Sequence, residues 1–431
     1  MVAVPLLVLG SRFAGLTTAL FLAHQGFPVH VLERDRADDV DTGLAVLTPA
    51  ALRELSVLGL ADPVAAASWE PRRLTHGDAG SGAVLRVAEL GPVVRARFGR
   101  PYVLAPYAAL RRRLVAACDA DEMITVEYGR SATAVEDLGD AVLVTDDTGA
   151  TYRAEALVGA DGPGSRVRPF LGGGHAISSP YLVHRAHGPA PPDDVLRLWS
   201  SPSLHVTQSA TPGGGGEISV TVRVDALDDM HRDGVAAVVS RLLAGTAAEV
   251  RAAAGDAVAW APSRVHRHHA PLERGARHRM TVIGGAAQPM LPHSAQAAAV
   301  EIVDAATLGR AFDHADGRIV PALEEYAYVR ETPRAVTAAR AQDFAALCHA
   351  EGLVRRMRDR LWRTGTVDAT SAIVDAGRGP VAGQGTLRSG ADGDGHRPGV
   401  PVVHPHPGAT ADPPGPGPGG PTGPPAGPMA G

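Results

Sequence analysis

The sequence predicts an α/β protein that begins with a Rossmann-like βαβ unit, continues through a β-sheet region and ends in helices. Three observations predict it: a βαβ unit at the start, alternating strands in the middle, and long helical segments near the end. The predicted parts are the Rossmann-like domain at 1–174 and 271–316, the sheet domain at 175–270, a helical C-terminal part at 317–376 and a Gly/Pro-rich disordered tail at 377–431.

The first 33 residues predict the βαβ unit. Ala3–Leu9 is a short apolar run before Gly10, as in a buried parallel strand. Apolar residues then recur at helical spacing over Ala14–Gln25, and Gly26 ends this helix. Val29–Leu32 is a second strand, so the unit is a right-handed crossover between parallel strands.

Strands and turns dominate the middle of the chain. Leu204–Ala210 and Glu217–Val224 flank a run of four glycines, which predicts an antiparallel hairpin. Apolar and polar residues alternate in its second strand, so one face is buried. The remaining predicted elements are strands at Ile124–Tyr128, Ala141–Thr145, Tyr152–Ala160 and Met280–Ile283, and helices at 295–312 and 322–346.

Composition excludes several classes of protein. The chain has 431 residues, a net charge of -5 and a pI near 6.4, without Lys/Arg-rich runs, which argues against a nucleic-acid partner. No apolar run is long enough for a transmembrane helix, and two cysteines exclude a disulfide framework and a cysteine-based zinc site. We therefore expect a cytoplasmic protein with no membrane partner and no metal.

The βαβ unit matches part of a dinucleotide fingerprint. Its turn reads Gly10-Ser11-Arg12-Phe13-Ala14-Gly15, whereas the fingerprint is G-x-G-x-x-G with an acidic residue about 20 positions later. Gly10, Gly15 and Glu33 match. The middle glycine of the fingerprint lets the backbone approach a diphosphate closely, and in this chain Arg12 takes its place. This motif alone is therefore weakly specific.

Two later segments resemble those of a known family. Leu157 to Arg168 reads LVGADGPGSRVR and is similar to the "GADG…S.VR" segment of the class A flavoprotein monooxygenases, the aromatic-hydroxylase family. Val282 to His293 reads VIGGAAQPMLPH and resembles that family's "GDAAHPMxPxxGQGxN" segment, and Ile302 to Leu308 resembles "EDAxxL". The segments occur in the family's order, and the resemblance covers residues 1 to about 350.

The resemblance implies a site for FAD, which the family reduces with NAD(P)H and uses to hydroxylate or epoxidise aromatic or polyketide substrates. It implies that the Rossmann-like domain binds the dinucleotide, with the adenosine near Glu33 and Arg34 and the flavin ring near 288–299. It also implies that the inserted β-sheet at 175–270 is a substrate domain that covers the ring. Cofactor-binding positions that the chain shares with the family are Gly10, Gly15, Glu33, Arg34, Asp161 and Pro289.

The chain departs from the family where FAD is held. Gly285 replaces the aspartate of "GD", and Tyr107 replaces the arginine of an "R-x-x-L-x-x-x-L" segment. The "GQGxN" stretch reads Ala295-Gln296-Ala297-Ala298-Ala299, with methyl groups in place of both glycines and Ala299 in place of the asparagine. Together with Arg12, these changes predict that FAD is no longer required and that the protein has no cofactor.

The leading hypothesis is therefore a redox-neutral cyclase or pericyclase that folds a largely apolar, polyketide-like intermediate by orientation. The alternatives are an FAD- and NAD(P)H-dependent monooxygenase, and a non-catalytic binding or partner protein. His293 and Gln288 are the candidate catalytic residues, because both lie in the loop that borders the ring position. His184 and Arg185 are candidate substrate contacts on the covering sheet.

Overall fold

The computed structural model describes residues 1–36, 43–224, 235–255 and 257–365. The predicted tail at 377–431 lies outside the described residues. The strands, numbered along the chain, are β1 Val2–Leu9, β2 Val29–Glu33, β3 Leu44–Leu47, β4 Arg73–Asp78, β5 Val84–Glu89, β6 Val103–Pro106, β7 Ile124–Tyr128, β8 Ala132–Asp137, β9 Val142–Asp146, β10 Thr151–Gly159, β11 Ala176–Gly188, β12 Val195–Ser200, β13 Leu204–Ala210, β14 Gly216–Arg223, β15 Val258–His268, β16 Ala276–Arg277 and β17 Met280–Val282.

The helices are α1 Phe13–His24, α2 Pro49–Val57, α3 Ala61–Ala66, α4 Gly91–Phe98, α5 Tyr107–Asp119, α6 Val235–Leu243, α7 Ala248–Gly255, α8 Ala297–His314, α9 Ile319–Cys348 and α10 Gly352–Arg363. Among the described residues, no helix is both long enough and apolar enough to cross a membrane.

The first sheet is a parallel core with antiparallel additions. Its strand order is β16-β17-β10-β1-β2-β7, and β1, β2, β7, β10 and β17 run parallel to one another. The chain passes from β1 through α1 to β2 on one side, whereas β10 pairs with β1 on the other side. The strand order therefore reverses beside β1, and such a switch point is where open α/β sheets bind ligands.

Helix α1 lies in the interior of this first domain. All of its residues from Phe13 to Ala23 are buried, because β1 and β2 lie on one side and α8 packs along another. Phe13, Leu16, Phe21 and Phe312 belong to the same core cluster. The predicted βαβ unit is confirmed, and the match of each element is within two residues of the prediction.

The second sheet is wider than the predicted range of 175–270. Its order is β15-β11-β14-β13-β12-β4-β5, so two strands come from the earlier segment 73–89. Strand β4 extends this sheet by pairing in parallel with β12 along its whole length, from Arg73 opposite Val195 to Asp78 opposite Ser200. Sequence patterns report the burial of a strand but not its partner, so this pairing was not predicted.

One face of the second sheet is covered by α6 and α7. Ile218, Val220 and Val222 of β14 cluster there with Val239 of α6 and Val250 of α7. The opposite face meets the loop between β17 and α8, the end of α9, and α10. The two faces therefore differ: the first packs its apolar side chains against α6 and α7, and the second, the polar face, carries His76, His205 and Thr207 next to a buried apolar cluster that includes Leu74 and Leu198.

Candidate active site

The carboxyl ends of four parallel strands meet at one edge of the first sheet. Leu9, Leu32, Gly159 and Val282 occupy matching positions in β1, β2, β10 and β17. The residues that follow them are Gly10, Glu33, Ala160 with Asp161, and Ile283 with Gly284. The three resemblance-bearing segments are thus brought together by the strand order.

Gly10 and Gly15 are required by the tight turn between β1 and α1. Gly10 has a φ of +101°, and a Cβ added to it would lie 2.5 Å from the Ala160 carbonyl oxygen. A Cβ at Gly15 would lie 1.8 Å from the Gly10 carbonyl oxygen. No side chain fits at either position, so both glycines serve the fold as well as any ligand.

Glu33 lies buried beside that turn. Its carboxylate accepts hydrogen bonds from the backbone N–H of Ser11 at 2.5 Å and from the backbone N–H of Asp35 at 2.9 Å. Each carboxylate oxygen has two lone pairs, so Glu33 keeps acceptor capacity for a ligand hydroxyl. The neighbouring Arg34 is exposed and lies 3.3 Å from Asp35 through its Nε atom.

A buried arginine that the sequence analysis missed also reaches this turn. Arg111 lies in α5, and its Nη2 donates to the Ser11 hydroxyl at 3.4 Å while its guanidinium lies over the Tyr128 ring. Tyr107, at the position of the family's arginine, stacks on Phe13 with ring centroids 4.1 Å apart. The positive charge beside the turn after β1 thus comes from Arg111, one helical turn after Tyr107 in α5. In the sequence, the signal for this contact was the run of arginines that begins at Arg111.

Asp161 carries a buried carboxylate oxygen without a partner among the described residues. Its Oδ2 accepts the backbone N–H of Arg166 at 2.7 Å, whereas Oδ1 is buried and makes no hydrogen bond. Burial raises the pKa of Asp161 above its ordinary value, while hydrogen bonds from Ser165 and Arg166 and the charge of Arg34 oppose the rise. A buried carboxylate oxygen without a partner, at the carboxyl edge of the first sheet, can accept a hydrogen bond from a hydroxyl group of a ligand.

Gly285 leaves room for the side chain that the family carries there. A Cβ on Gly285 would be 3.6 Å from both Gly162 Cα and Pro163 Cδ, an ordinary contact. Its backbone N–H instead lies beside the carboxylate of Glu301, which is also close to the N–H of Ala14 and is attracted by Arg12. Arg12 is exposed, and its charge acts on this carboxylate.

The start of α8 differs from the family in its methyl groups. Ala295 is exposed with a φ of +52°, in the left-handed region that favours glycine. Ala297 is the first residue of the helix and is exposed, whereas Ala299 is buried. Of the three substituted positions, only Ala299 is therefore buried in the core.

His293 belongs to a buried histidine cluster between the second sheet and the end of α9. Its Nε2 lies 2.9 Å from Nε2 of His349, its ring stacks on His205 at 5.4 Å, and Tyr181 packs against it edge-on at 4.6 Å. Burial, reinforced by His205 and His349, lowers the pKa of His293 to about 2. His293 is therefore neutral at physiological pH, and its catalytic role stays a prediction.

The other members of this cluster come from distant parts of the chain. His76 of β4 packs against the rings of His205 and Trp362, and its Nε2 contacts the Ser200 hydroxyl. Burial lowers the pKa of His205 to about 3, with the charge of His349 as a smaller cause. Among the described residues, no group of three or more His, Cys, Asp or Glu could hold a metal ion.

Gln288 and Pro289 lie between these two regions, in the loop after β17. Gln288 is half-buried, and its backbone N–H donates to the Gly284 carbonyl at 2.8 Å. The loop is held from below by the buried Arg168, which donates to the carbonyls of Ala286 and Ala287. The predicted assignment of Gln288 to catalysis is compatible with this position and stays a prediction.

His184 and Arg185 point to opposite faces of the second sheet, because neighbouring strand residues alternate. His184 pairs with Val220 on the face that α6 and α7 cover, and both of its ring nitrogens are buried without partners. Arg185 lies on the other face, beside Gly43 and the carboxylate of Glu217. The two side chains therefore lie on different faces of the sheet, with Arg185 on the face that meets the loop after β17, and their role as substrate contacts stays a prediction.

Comparisons with known proteins agree on one kind of protein. Residues 3–323 match a family model described as an FAD binding domain. The chain is 31% identical over 375 residues to a 3-hydroxybenzoate 6-hydroxylase of Klebsiella oxytoca, covering 83% of this chain and 92% of that protein. It is 30% identical over 352 residues to a 3-amino-4-hydroxybenzoate 2-monooxygenase of Streptomyces cremeus, covering 79% of this chain and 87% of that protein.

The fold is also that of solved structures. Klebsiella pneumoniae HpxO in complex with FAD and uric acid superposes with a TM-score of 0.76 at 21% identity, covering 87% of this chain and 96% of that chain. The predicted fold class is thereby confirmed. The prediction that the protein has no cofactor is wrong, because the match to the FAD binding domain spans every segment that carries a departure. Substitutions around the site do not remove the site itself.

Proposed function

The chain belongs to the class A flavoprotein aromatic hydroxylases, and we propose that it is an FAD-dependent monooxygenase that hydroxylates a small aromatic substrate at the expense of NAD(P)H. The observation that carries the proposal is the unpartnered carboxylate oxygen of Asp161, buried beside the Gly10 turn and Glu33. The predicted redox-neutral cyclisation depended on the loss of FAD and loses its support with that correction.

The residues at the carboxyl edge of the first sheet fit FAD. Glu33 and the Oδ1 atom of Asp161 would accept hydrogen bonds from hydroxyls of the cofactor. The N-terminal end of α1 and the charges of Arg12 and Arg111 favour its diphosphate. When bound, FAD supplies the redox chemistry, taking a hydride from NAD(P)H and activating O2 so that one oxygen atom enters the substrate and the other leaves as water.

The polar face of the second sheet would hold the substrate. Thr207, Ser219 and Arg185 lie on this face, because they occupy positions of the same parity in β13, β14 and β11. Next to them, Nδ1 of His293 is buried without a hydrogen-bond partner. A neutral imidazole nitrogen can accept a hydrogen bond from a phenolic O–H, so His293 would orient the substrate ring through its hydroxyl.

The aromatic class of the substrate follows from this lining and from the relatives. The relatives named above carry 3-hydroxybenzoate and 3-amino-4-hydroxybenzoate in their names, both of which are aromatic acids with a ring hydroxyl. Arg185 supplies a positive charge at the site for a carboxylate, although Glu217 competes for it. We therefore infer a hydroxylated aromatic acid as the substrate class.

The test combines FAD binding with turnover. The protein is titrated with FAD, and flavin fluorescence quenching gives the Kd; NAD(P)H oxidation is then followed with a panel of hydroxybenzoates and aminohydroxybenzoates, with labelled O2 tracing the added oxygen. Asp161→Ala should weaken FAD binding about tenfold or more, since a hydrogen bond to a charged group contributes roughly 1.5–3 kcal/mol. Asp140→Asn, an exposed carboxylate paired with Arg153, is the matched control.

Two results would contradict the proposal. Failure of saturating FAD to bind would remove the cofactor assignment. FAD binding without oxygen transfer to any aromatic acid, together with equal FAD affinity of the Asp161 variant and the control, would remove the site.

A further inference from the structure

A carboxylate of the protein lies at the N-terminal end of α1. The carboxylate of Glu301, from the second turn of α8, lies beside the backbone N–H groups of Ala14 and Gly285. Its side chain passes over Gly284, since a Cβ on that glycine would lie 2.9 Å from Glu301 Cγ. The carboxylate is thereby held between the first turn of α1 and the loop after β17.

This position is an anion site of the fold. The first N–H groups of a helix have no acceptor within the helix, and the helix dipole adds partial positive charge there. No acidic residue stands in the first turn of α1, and Arg12 provides no side-chain cap. A strand, a glycine turn and a helix N-terminus together form the place where dinucleotide diphosphates bind. Glu301 therefore already supplies an anion at that place.

The charges around Glu301 come from three elements. Arg12, at the start of α1, attracts the carboxylate, and Asp304, one turn further along α8, repels it. Asp304 is itself paired with Arg330 of α9 at 2.5 Å. The loop carrying Asp161 is the remaining neighbour, because Gly162 and Pro163 lie against Gly285. The balance favours protonation: burial first, then Asp304, raises the pKa of Glu301 to about 7.

We propose that the Glu301 carboxylate occupies the diphosphate position in the FAD-free protein and that FAD binds by displacing it. The proposal rests on the proposed function, because it concerns the same cofactor site. Two anions cannot share the N–H groups of Ala14 and Gly285, so an ionised Glu301 opposes FAD, whereas a protonated Glu301 does not. The protonation state of Glu301 would therefore set the affinity for FAD through the diphosphate position alone.

The pH dependence of FAD binding tests this mechanism. Above pH 7 the protein must take up a proton or expel the charged carboxylate when FAD binds, so the Kd should rise by up to about tenfold per pH unit between pH 7 and 8.5. Below pH 6 the Kd should level off. Glu301→Gln should keep its Kd nearly constant over this range, and it should bind FAD about tenfold more tightly than the unmodified protein at pH 8.

Matched variants separate this effect from general loss of charge. Glu155→Gln removes one exposed carboxylate from β10, four residues before the carboxyl end of that strand, and should follow the unmodified protein at every pH. Glu301→Ala provides a second test of the same position. Far-UV circular dichroism establishes that each variant is folded before titration, and fluorescence quenching gives the Kd without turnover.

The outcomes distinguish the two proposals. If the Glu301 variants and the Glu155 control have the same Kd at every pH, or if the Glu301 variants bind FAD more weakly, the displacement mechanism is wrong while the monooxygenase proposal stands. If no variant binds FAD at any pH, the proposed function fails and the displacement mechanism fails with it.

Discussion

Replacing Asp304 should destabilise the protein strongly, because this residue anchors α9 to α8 through a fully buried ion pair. Asp304 Oδ1 and Arg330 Nε are 2.5 Å apart, and the two side chains are 0% and 4% exposed. The other carboxylate oxygen accepts the backbone N–H of Gly284 at 3.4 Å, so the same residue supports the loop after β17. Asp304→Asn preserves the shape but leaves the Arg330 charge buried without a counter-charge.

The magnitude follows from that burial. Breaking one partner of a buried pair costs about 3–5 kcal/mol, whereas an exposed pair contributes about 0–1 kcal/mol. Glu70→Gln provides the exposed control, because Glu70 pairs with Arg95, whose side chain is 54% exposed. Urea unfolding followed by far-UV circular dichroism gives the free energy of unfolding for each variant.

A second variant tests the assigned cause. Arg330→Met in the Asp304→Asn background removes the stranded charge and keeps an apolar chain of similar length, so it should recover more than half of the lost stability. The reasoning is refuted if Asp304→Asn costs no more than Glu70→Gln, or if the double variant is less stable than Asp304→Asn alone.

Three further predictions concern backbone strain, an unpartnered imidazole and a buried carboxylate. Ala295→Gly should raise the free energy of unfolding by about 1 kcal/mol, since Ala295 has a φ of +52°, whereas Ala297→Gly, in the first turn of α8, should lower it; equal effects in urea unfolding would reject the strain. His184→Leu should stabilise the protein by about 1–2 kcal/mol, because both ring nitrogens are buried without partners, and a loss of stability would show an unseen partner. Burial raises the pKa of Glu217 from 4.5 to about 7 despite the charge of Arg185, so its contribution to stability is present below pH 4.5 and is lost as the pH rises through 7. The free energy of unfolding of the unmodified protein, relative to that of Glu217→Gln, should therefore decrease between pH 4 and 8. A difference that does not change with pH would contradict the burial argument.

The sequence alone determined the fold family and the edge of the first sheet at which the three motif segments meet. Local patterns predicted β1, α1 and β2, and motifs after β10 and β17 identified the segments that meet there. These inferences succeeded because the period of apolar residues and the steric need for glycine at Gly10 are properties of a short stretch of chain. The inference that FAD had been lost was wrong: it summed the losses expected at the substituted positions, whereas the FAD binding domain matches over residues 3–323.

Only the tertiary structure decided which side chains act at that edge. Arg111 reaches Ser11 from α5, and Glu301 lies beside Ala14 from α8. The three consecutive arginines from Arg111 did not indicate which of them is buried, and no sequence pattern indicated the position of Glu301. Strand pairing likewise placed His184 on the face that α6 and α7 cover and Arg185 on the opposite face. Contacts between residues far apart in sequence depend on how helices pack and strands pair. That Arg111 supplies a positive charge beside the turn after β1, where Tyr107 has replaced the family's arginine, was therefore visible only in the tertiary structure.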